Sequence, residues 1–484
     1  MKEHVEVRSG AYADSVALLQ VSRSVQDTPG VAAAQVAMAT PLNVEVLASM
    51  GFSIPAEASA NDLVVAIRLE ADGDLGQALA AVEAALAATT RRTTGAAEVA
   101  PHRTTATALR DAGDVVLVSV PGASALVEAM DALDAGRDVM VFSDNVPLEQ
   151  ELALKRTAAD RGLLVMGPDC GTAVVGGLGL GFANATSPGP VGIVAASGTG
   201  CQQLLALLDH AGVGVGSALG VGGRDLSADV RGLSTREALR RLDADPAVEL
   251  AVLVSKPPAD DVAAEVREYA ASLSTPVEMA LLGPGQPDLT AAAEAVLRRL
   301  GRDVPAWPVS APAALPQARG PHLRGLFVGG TLCDEAMLIA AETLGPVRSN
   351  IPLSPELALG PDLLADGHSM VDFGDDALTR GRAHPMIDPT LRLEHLARAA
   401  ADPGTGVLLL DVVLGHGAEP DPAGRLAPAL TGLDVPVVVA VVGTRLDPQD
   451  LDRQVRLLAE AGAEVHLSNA AATRRAVDLV GGAQ

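Results

Sequence analysis

The sequence predicts an α/β protein built from several domains with mainly parallel sheets. Its 484 residues, at roughly 100 to 200 per domain, allow about three cores. The chain is 48% hydrophobic but only 2% aromatic, so Ala, Val, Leu and Ile must fill those cores, as they do in parallel sheets covered by helices. Short apolar runs alternate with helix-length segments, the order that makes right-handed crossovers.

The first such unit has β-like runs at His4 to Arg8, Ala32 to Met38 and Asp62 to Leu69. Helix-like runs lie between and after them, at Asp14 to Val25, Asn43 to Met50 and Gly76 to Ala88. This reads as a small βαβαβα domain at residues 1–90. Thr89 to Thr107 is rich in Thr, Ala and Arg without an apolar period, and reads as a linker.

Strands then follow at Val115 to Val120, Val139 to Phe142, Leu163 to Met166, Val191 to Ala195, Val213 to Val221, Leu250 to Ser255 and Pro276 to Leu281. They are divided into segments 108–185 and 186–302. The Pro- and Ala-rich stretch Val304 to Pro321 suits neither a helix nor a central strand, and marks a linker at 303–322. From 323 to 484 the alternation resumes, with strands at Leu323 to Val328, Gly406 to Leu410, Val435 to Val442 and Glu464 to Leu467.

A formal net charge of −25 argues against nucleic acid or an anionic membrane as partner. Cys170, Cys201 and Cys333 lie far apart without a CxxC pair, so reduced thiols and no metal site are expected. No signal peptide is evident and the apolar runs are too short to span a bilayer, so a cytoplasmic protein is expected.

Val191-Gly-Ile-Val-Ala-Ala-Ser-Gly-Thr-Gly-Cys201 runs from a strand through a small hydroxyl-rich turn into a helix. Open N–H groups at a helix N-terminus bind phosphate or carboxylate, which makes Ser197, Gly198, Thr199 and Gly200 candidates; a capped turn that binds nothing has the same pattern. Gly167-Pro-Asp-Cys-Gly-Thr172 follows a strand at the carboxyl edge where open sheets take ligands, or is a plain turn. Gly220-Val-Gly-Gly-Arg-Asp225 offers Gly222, Gly223 and Arg224 to an anion, or is a tight turn with a solvated arginine. Lys256, in Ser255-Lys-Pro-Pro258, can neutralise a phosphate or be an ordinary loop lysine. His416, in Asp411-Val-Val-Leu-Gly-His-Gly417, is a general base or phosphate ligand, or a solvated loop histidine; the loop Arg380 to Pro389, which presents His384 and Asp388 before a helix, binds an anion or is a solvated capping loop.

Together and in order, these motifs resemble the ligand-binding parts of the succinyl-CoA synthetase family over most of 110–484. Ala123 to Thr172 is similar to the second half of its CoA-binding domain, and Gly192 to Thr199 to its strand and phosphate-facing helix. Residues 323–484 resemble the carboxyl-terminal domain of its β subunit. The resemblance implies Rossmann- and flavodoxin-like folding: CoA-binding-like at 108–185, synthetase-like at 186–302, CoA-ligase-like at 323–484.

Three departures stand out. Where the family carries a phosphohistidine loop, this chain reads Leu281-Leu-Gly-Pro-Gly-Gln-Pro287, without histidine. Nothing resembles an ATP-grasp domain, and the Gly-rich first unit of the CoA domain is replaced by residues 1–90.

Phe142-Ser-Asp-Asn-Val-Pro-Leu-Glu-Gln-Glu151, Ser255-Lys-Pro-Pro258, His384-Pro-Met-Ile-Asp-Pro389 and Asp411 to Gly417 look closely like the FdrA family. That resemblance implies a subunit of an oxamate carbamoyltransferase in allantoin and ureide degradation, working with two further proteins. It implies carbamoyl phosphate and an oxamate-like acid as small anionic substrates, a hetero-oligomer, and no required cofactor. Asn145, Asp169, Cys170, Gly171, Thr172 and Asp388 are then candidate substrate contacts, with His416, His384 and Lys256 as candidate catalytic groups. The alternative is an acyl-CoA synthetase subunit with a separate ATP-grasp partner; CoA would then bind with its thiol end near Cys170 to Thr172.

Overall fold

The computed structural model describes residues 2–481 apart from 10, 12, 14, 56, 57, 60, 72, 94–101, 103, 111, 112, 313, 381 and 382. The chain forms two compact units, Met1–Ala108 with Arg380–Ala383, and Leu109–Thr379 with His384–Gln484.

The first unit is the expected βαβαβα arrangement. Strand Leu63–Leu69 lies between Lys2–Arg8 and Val31–Met38, antiparallel to both. Its side chains alternate between faces. Val65 and Ile67 pack with Leu18, Val21, Val25, Ala78 and Val82, whereas Val64 and Ala66 pack with Leu47 and Phe52. Burial on both faces explains why this strand reads as one unbroken apolar run. Of the expected linker, Thr89 to Thr93 continue the helix Leu75–Thr93, and 94–101 and 103 lie outside the described residues.

The second unit holds three sheets. A short parallel sheet joins Val115–Val118, Asp138–Val141 and Val165–Met166. A six-stranded sheet has the order Val277–Leu281, Leu250–Ser255, Val191–Ala196, Val215–Gly220, Thr172–Val175, Leu178–Gly181. Its first four strands are parallel; the last two form an antiparallel hairpin, so the sheet crosses the sequence division at 185/186. A seven-stranded sheet has the order Val309–Ser310, Glu464–His466, Val437–Val442, Thr405–Val413, His322–Phe327, His368–Asp372, Val347–Ser349. It is parallel except for Val309–Ser310, an edge strand drawn from the Pro- and Ala-rich stretch and paired with Val465 and His466.

One apolar core runs through both large sheets. Ile193, Leu204 and Leu208 share it with Phe327, Leu332, Leu409 and Val438. The helices Gly198–His210 and Gly330–Leu344 lie between the sheets, and buried amides fix their relation. Gln203 Nε2 donates to Leu467 O at 3.1 Å and its Oε1 accepts from Asn469 N at 3.0 Å. Asn469 Nδ2 donates to Glu335 Oε2 at 2.7 Å. Among the described residues, no helix is long and apolar enough to cross a membrane.

Candidate functional site

The two central helices start at the carboxyl ends of their sheets and meet there. Ser197 adopts extended backbone after the strand Val191–Ala196 and caps its helix, its Oγ accepting from Gly200 N at 3.0 Å. The same hydroxyl donates to Thr331 Oγ1, 2.6 Å away in the first turn of the opposite helix. That helix begins after Gly329, which has no side chain to cap it. The first amides of both helices have no partner within their own helix, and the positive ends of two dipoles converge on one point.

Close approach depends on glycine at 329 and 330. A Cβ on Gly329 would lie 2.9 Å from Thr199 Cγ2, and one on Gly330 would lie 2.6 Å from Asp372 Oδ2 and 3.0 Å from Lys256 Nζ. The turn is held from behind by Asp411, whose carboxylate accepts from Val328 N at 2.8 Å and Gly329 N at 2.9 Å. Arg392 in turn donates to Asp411 O at 2.6 Å.

Lys256 follows the strand Leu250–Ser255 and reaches this point. Its Nζ is 3.8 Å from Asp334 Oδ2. Loss of water would lower the ammonium, but Asp334, Asp372 and Asp169 outweigh it and hold it above the ordinary lysine value. Burial pushes Asp372 up to about 7 and Asp334 to about 6, with Lys256 opposing both shifts. Asp169 is pushed to about 7 by loss of water and then by Asp376. Asp169 is nonetheless an exposed residue. Lys256, 39% exposed on its side chain, is in the same position. Asp169 and Asn145 both hold left-handed backbone, at φ 56 and 52, and Thr172 Oγ1 lies 3.6 Å from where a Cβ on Gly198 would stand.

The other candidates divide. Arg224 is tethered, donating to Val146 O at 2.7 Å and pairing with Glu151 at 2.9 Å, and it contributes to the charge felt by Asp169. Gly222, at φ +89, lets its turn pass Pro168, where a Cβ would stand 2.5 Å from the carbonyl oxygen; Gly223 faces open space. Gly171 accepts at its carbonyl from Phe182 N at 2.8 Å.

Cys170 is not placed to meet a ligand. It is 2% exposed, its thiol sits against Gly220 and faces Thr172 O at 3.6 Å, and burial pushes it up to about 12. Asp388 is exposed and accepts from Thr390 N at 3.0 Å, the capping arrangement that its loop also suggested.

His384 packs against Phe182, ring centroids 5.6 Å apart, with Nε2 2.8 Å from the position of a Cβ on Gly374. Burial lowers it to about 4, so the ring is neutral at pH 7. Met386 N donates to its Nδ1 at 3.2 Å, which leaves the ring proton on Nε2. His384 therefore offers a hydrogen bond rather than a base. His416 is exposed elsewhere, with its amide on Ala183 O at 2.9 Å and its ring near Gly179.

Asp334, Asp372, Thr331 and the turn at Gly329 and Gly330 were not singled out by the motifs. Asp334 and Glu335 directly behind Gly-Gly-Thr-Leu-Cys, and Asp372 ending an apolar strand, were the signals available. Among the described residues no group of three or more His, Cys, Asp or Glu is arranged to hold a metal ion.

Residues 1–101 match the AllF, heavy metal-associated domain, and residues 326–479 match the CoA-ligase domain. Residues 1–101 contain no cysteine. Over 494 aligned residues the chain is 38% identical to the Escherichia coli protein YahF, covering 96% of this chain and 95% of that one. It is 32% identical over 184 residues to subunit alpha 2 of the ADP-forming succinate–CoA ligase of Archaeoglobus fulgidus, covering 35% of this chain and 63% of that one. The dinucleotide forming acetyl-coenzyme A synthetase 1 of Ca. Korarchaeum cryptofilum, in complex with phosphate and ADP, aligns over 80% of this chain and 89% of its own, at 18% identity and a TM-score of 0.32. With an AllF-type amino-terminal domain, a CoA-ligase domain, and likeness to YahF along nearly its whole length, the chain belongs to the FdrA family.

Proposed function

We propose that this chain is the FdrA-like subunit of a carbamoyltransferase of the oxamate or oxalurate type, acting in the cytoplasm in allantoin and ureide catabolism. The observation that carries the reading is the meeting of two helix N-termini across the 2.6 Å Ser197–Thr331 hydrogen bond, with Lys256 beside them. Convergent open amides and an ammonium suit the phosphate of carbamoyl phosphate.

In the reaction, an amide nitrogen of the acceptor bonds to the carbamoyl carbon. The bond from that carbon to the bridging oxygen breaks, and phosphate leaves with the electron pair. The nitrogen gives up one proton to a base. Amides at Gly198, Thr199, Gly330 and Thr331, with Lys256, would stabilise the charge that builds on the leaving phosphate, and holding both substrates in one cleft would supply much of the remaining acceleration. An already activated donor needs neither ATP nor a phosphohistidine. This agrees with Leu281–Pro287, where Gln286 N closes a tight turn on Gly283 O at 3.1 Å and no histidine is present.

The proposed assembly is a hetero-oligomer with the other carbamoyltransferase subunits. An acyl-CoA synthetase subunit with a separate ATP-grasp partner is the second reading, favoured by the CoA-ligase match at 326–479. Calorimetric titration of the chain, alone and with the proteins encoded beside it, separates them. Saturable carbamoyl phosphate binding that disappears in Ser197→Asp, with silence toward CoA, supports the transferase; CoA binding without a response to carbamoyl phosphate overturns it.

A further inference from the structure

We infer that Asp372, with Asp334 beside it, selects the amino group of the donor, so that the cleft prefers a carbamoyl phosphate to an acyl phosphate. The inference rests on the anion site described under the proposed function and adds to it the feature that distinguishes one mixed phosphoric anhydride from another.

Two carboxylates stand here that a phosphate site alone does not need. Asp372 is 4% exposed and Asp334 7%. Asp372 Oδ1 accepts from Gly374 N at 2.9 Å, but Oδ2 has no hydrogen bond among the described residues and faces the α-carbon of Gly330 at the start of its helix. The Asp334 side chain makes no hydrogen bond among the described residues, and the cation beside it is Lys256 at 3.8 Å. Largely buried carboxylate oxygens that only solvent can satisfy are costly to dehydrate when a ligand enters, and carboxylates beside a phosphate repel it. Both costs fall if the ligand brings N–H groups along with its phosphate.

Carbamoyl phosphate has that form. Its NH2 lies two bonds from the bridging oxygen, so a phosphate held at the two helix N-termini carries two N–H donors into the region of Asp372 Oδ2. The acetyl analogue puts a methyl group there and leaves the carboxylates unpaired. Above about pH 7, where Asp372 is ionised, a hydrogen bond to this charged group corresponds to roughly a ten- to hundredfold difference in affinity.

Calorimetric titration of the full chain with carbamoyl phosphate and with acetyl phosphate tests this, in the wild type and in Asp372→Asn and Asp334→Asn. The wild type is expected to favour carbamoyl phosphate at least tenfold. Each asparagine is expected to shrink that ratio several-fold through weaker carbamoyl phosphate binding, with acetyl phosphate binding held or tightened. Because Asp334 makes no hydrogen bond that its substitution would break, Asp334→Asn decides the matter if Asp372→Asn does not fold. A wild-type preference that both variants retain, or no preference in the wild type, overturns the inference and leaves the anion site standing. Absence of binding by either anhydride to the wild type overturns the anion site and the inference with it.

Discussion

Replacing Lys155 by methionine removes the centre of a buried charge cluster beneath the Gly220–Asp225 turn. Lys155 is 1% exposed, with Nζ 2.8 Å from Glu151 Oε1, 2.7 Å from Asp225 Oδ1 and 2.9 Å from Val221 O. Asp225 keeps three other donors, Ser234 N at 3.2 Å, Thr235 N at 2.9 Å and Thr235 Oγ1 at 2.6 Å. Glu151 keeps only the ion pair to Arg224 at 2.9 Å, and its oxygens have no well-aligned hydrogen bond among the described residues. The loss is therefore that of one partner from a buried pair, about 3–5 kcal/mol, while methionine nearly conserves the volume. Urea unfolding followed by the fluorescence of Trp307, the single tryptophan and a residue of the same unit, measures it. Adding Glu151→Gln to Lys155→Met neutralises the stranded carboxylate and should recover about 1–3 kcal/mol. A loss below about 1 kcal/mol for Lys155→Met, or no recovery in the double variant, refutes the view that Lys155 neutralises Glu151 and so fixes the tether of Arg224.

Asp372 and Glu335 are each raised to about 7 by burial, above their unfolded values of 3.8 and 4.5. The folded state holds those protons longer, so stability falls as pH rises from about 4 to about 7, and the full penalty persists above that range. Calorimetric Tm values should be higher near pH 5.5 than near pH 8, and Asp372→Asn should flatten the difference. Gly330→Ala should fold, since alanine favours the helix, yet lose phosphate binding at least tenfold because its Cβ enters the space between Asp372 and Lys256; calorimetry with inorganic phosphate reads this. The thiols of Cys170, Cys201 and Cys333 are all buried and raised above the ordinary range, so a thiol reagent at about pH 8 should label none quickly in the native protein and all three after unfolding.

The parallel strands were legible because a strand buried on both faces is written as a continuous apolar run, as in Leu250–Ser255 and Val437–Val442. The hairpin Thr172–Gly181 was not: its glycines at 176, 177, 179 and 181 resemble a loop, and their left-handed turn becomes a strand connection only when Val174 finds Ala218. At the site, Ser197 to Gly200 and Lys256 could be read from glycines, hydroxyls and a lone cation after a strand. Asp334, Asp372 and Asp411 could not, because each acts on a segment distant in sequence. Asp411 heads the motif that drew attention to His416, yet it is the aspartate that supports the helix turn by holding Val328 and Gly329. Lys155, Glu151 and Asp225 lie on a helix and a turn distant in sequence, and only the fold buries them together.

The central claim is that two helix N-termini and Lys256 share one phosphate. A crystal structure of the chain soaked with carbamoyl phosphate tests it most directly. The account predicts phosphate density within hydrogen-bond reach of the amides at Gly198 and Thr199, of those at Gly330 and Thr331, and of Lys256 Nζ. Phosphate density at another site, with this cleft holding only solvent at saturating ligand, would contradict it.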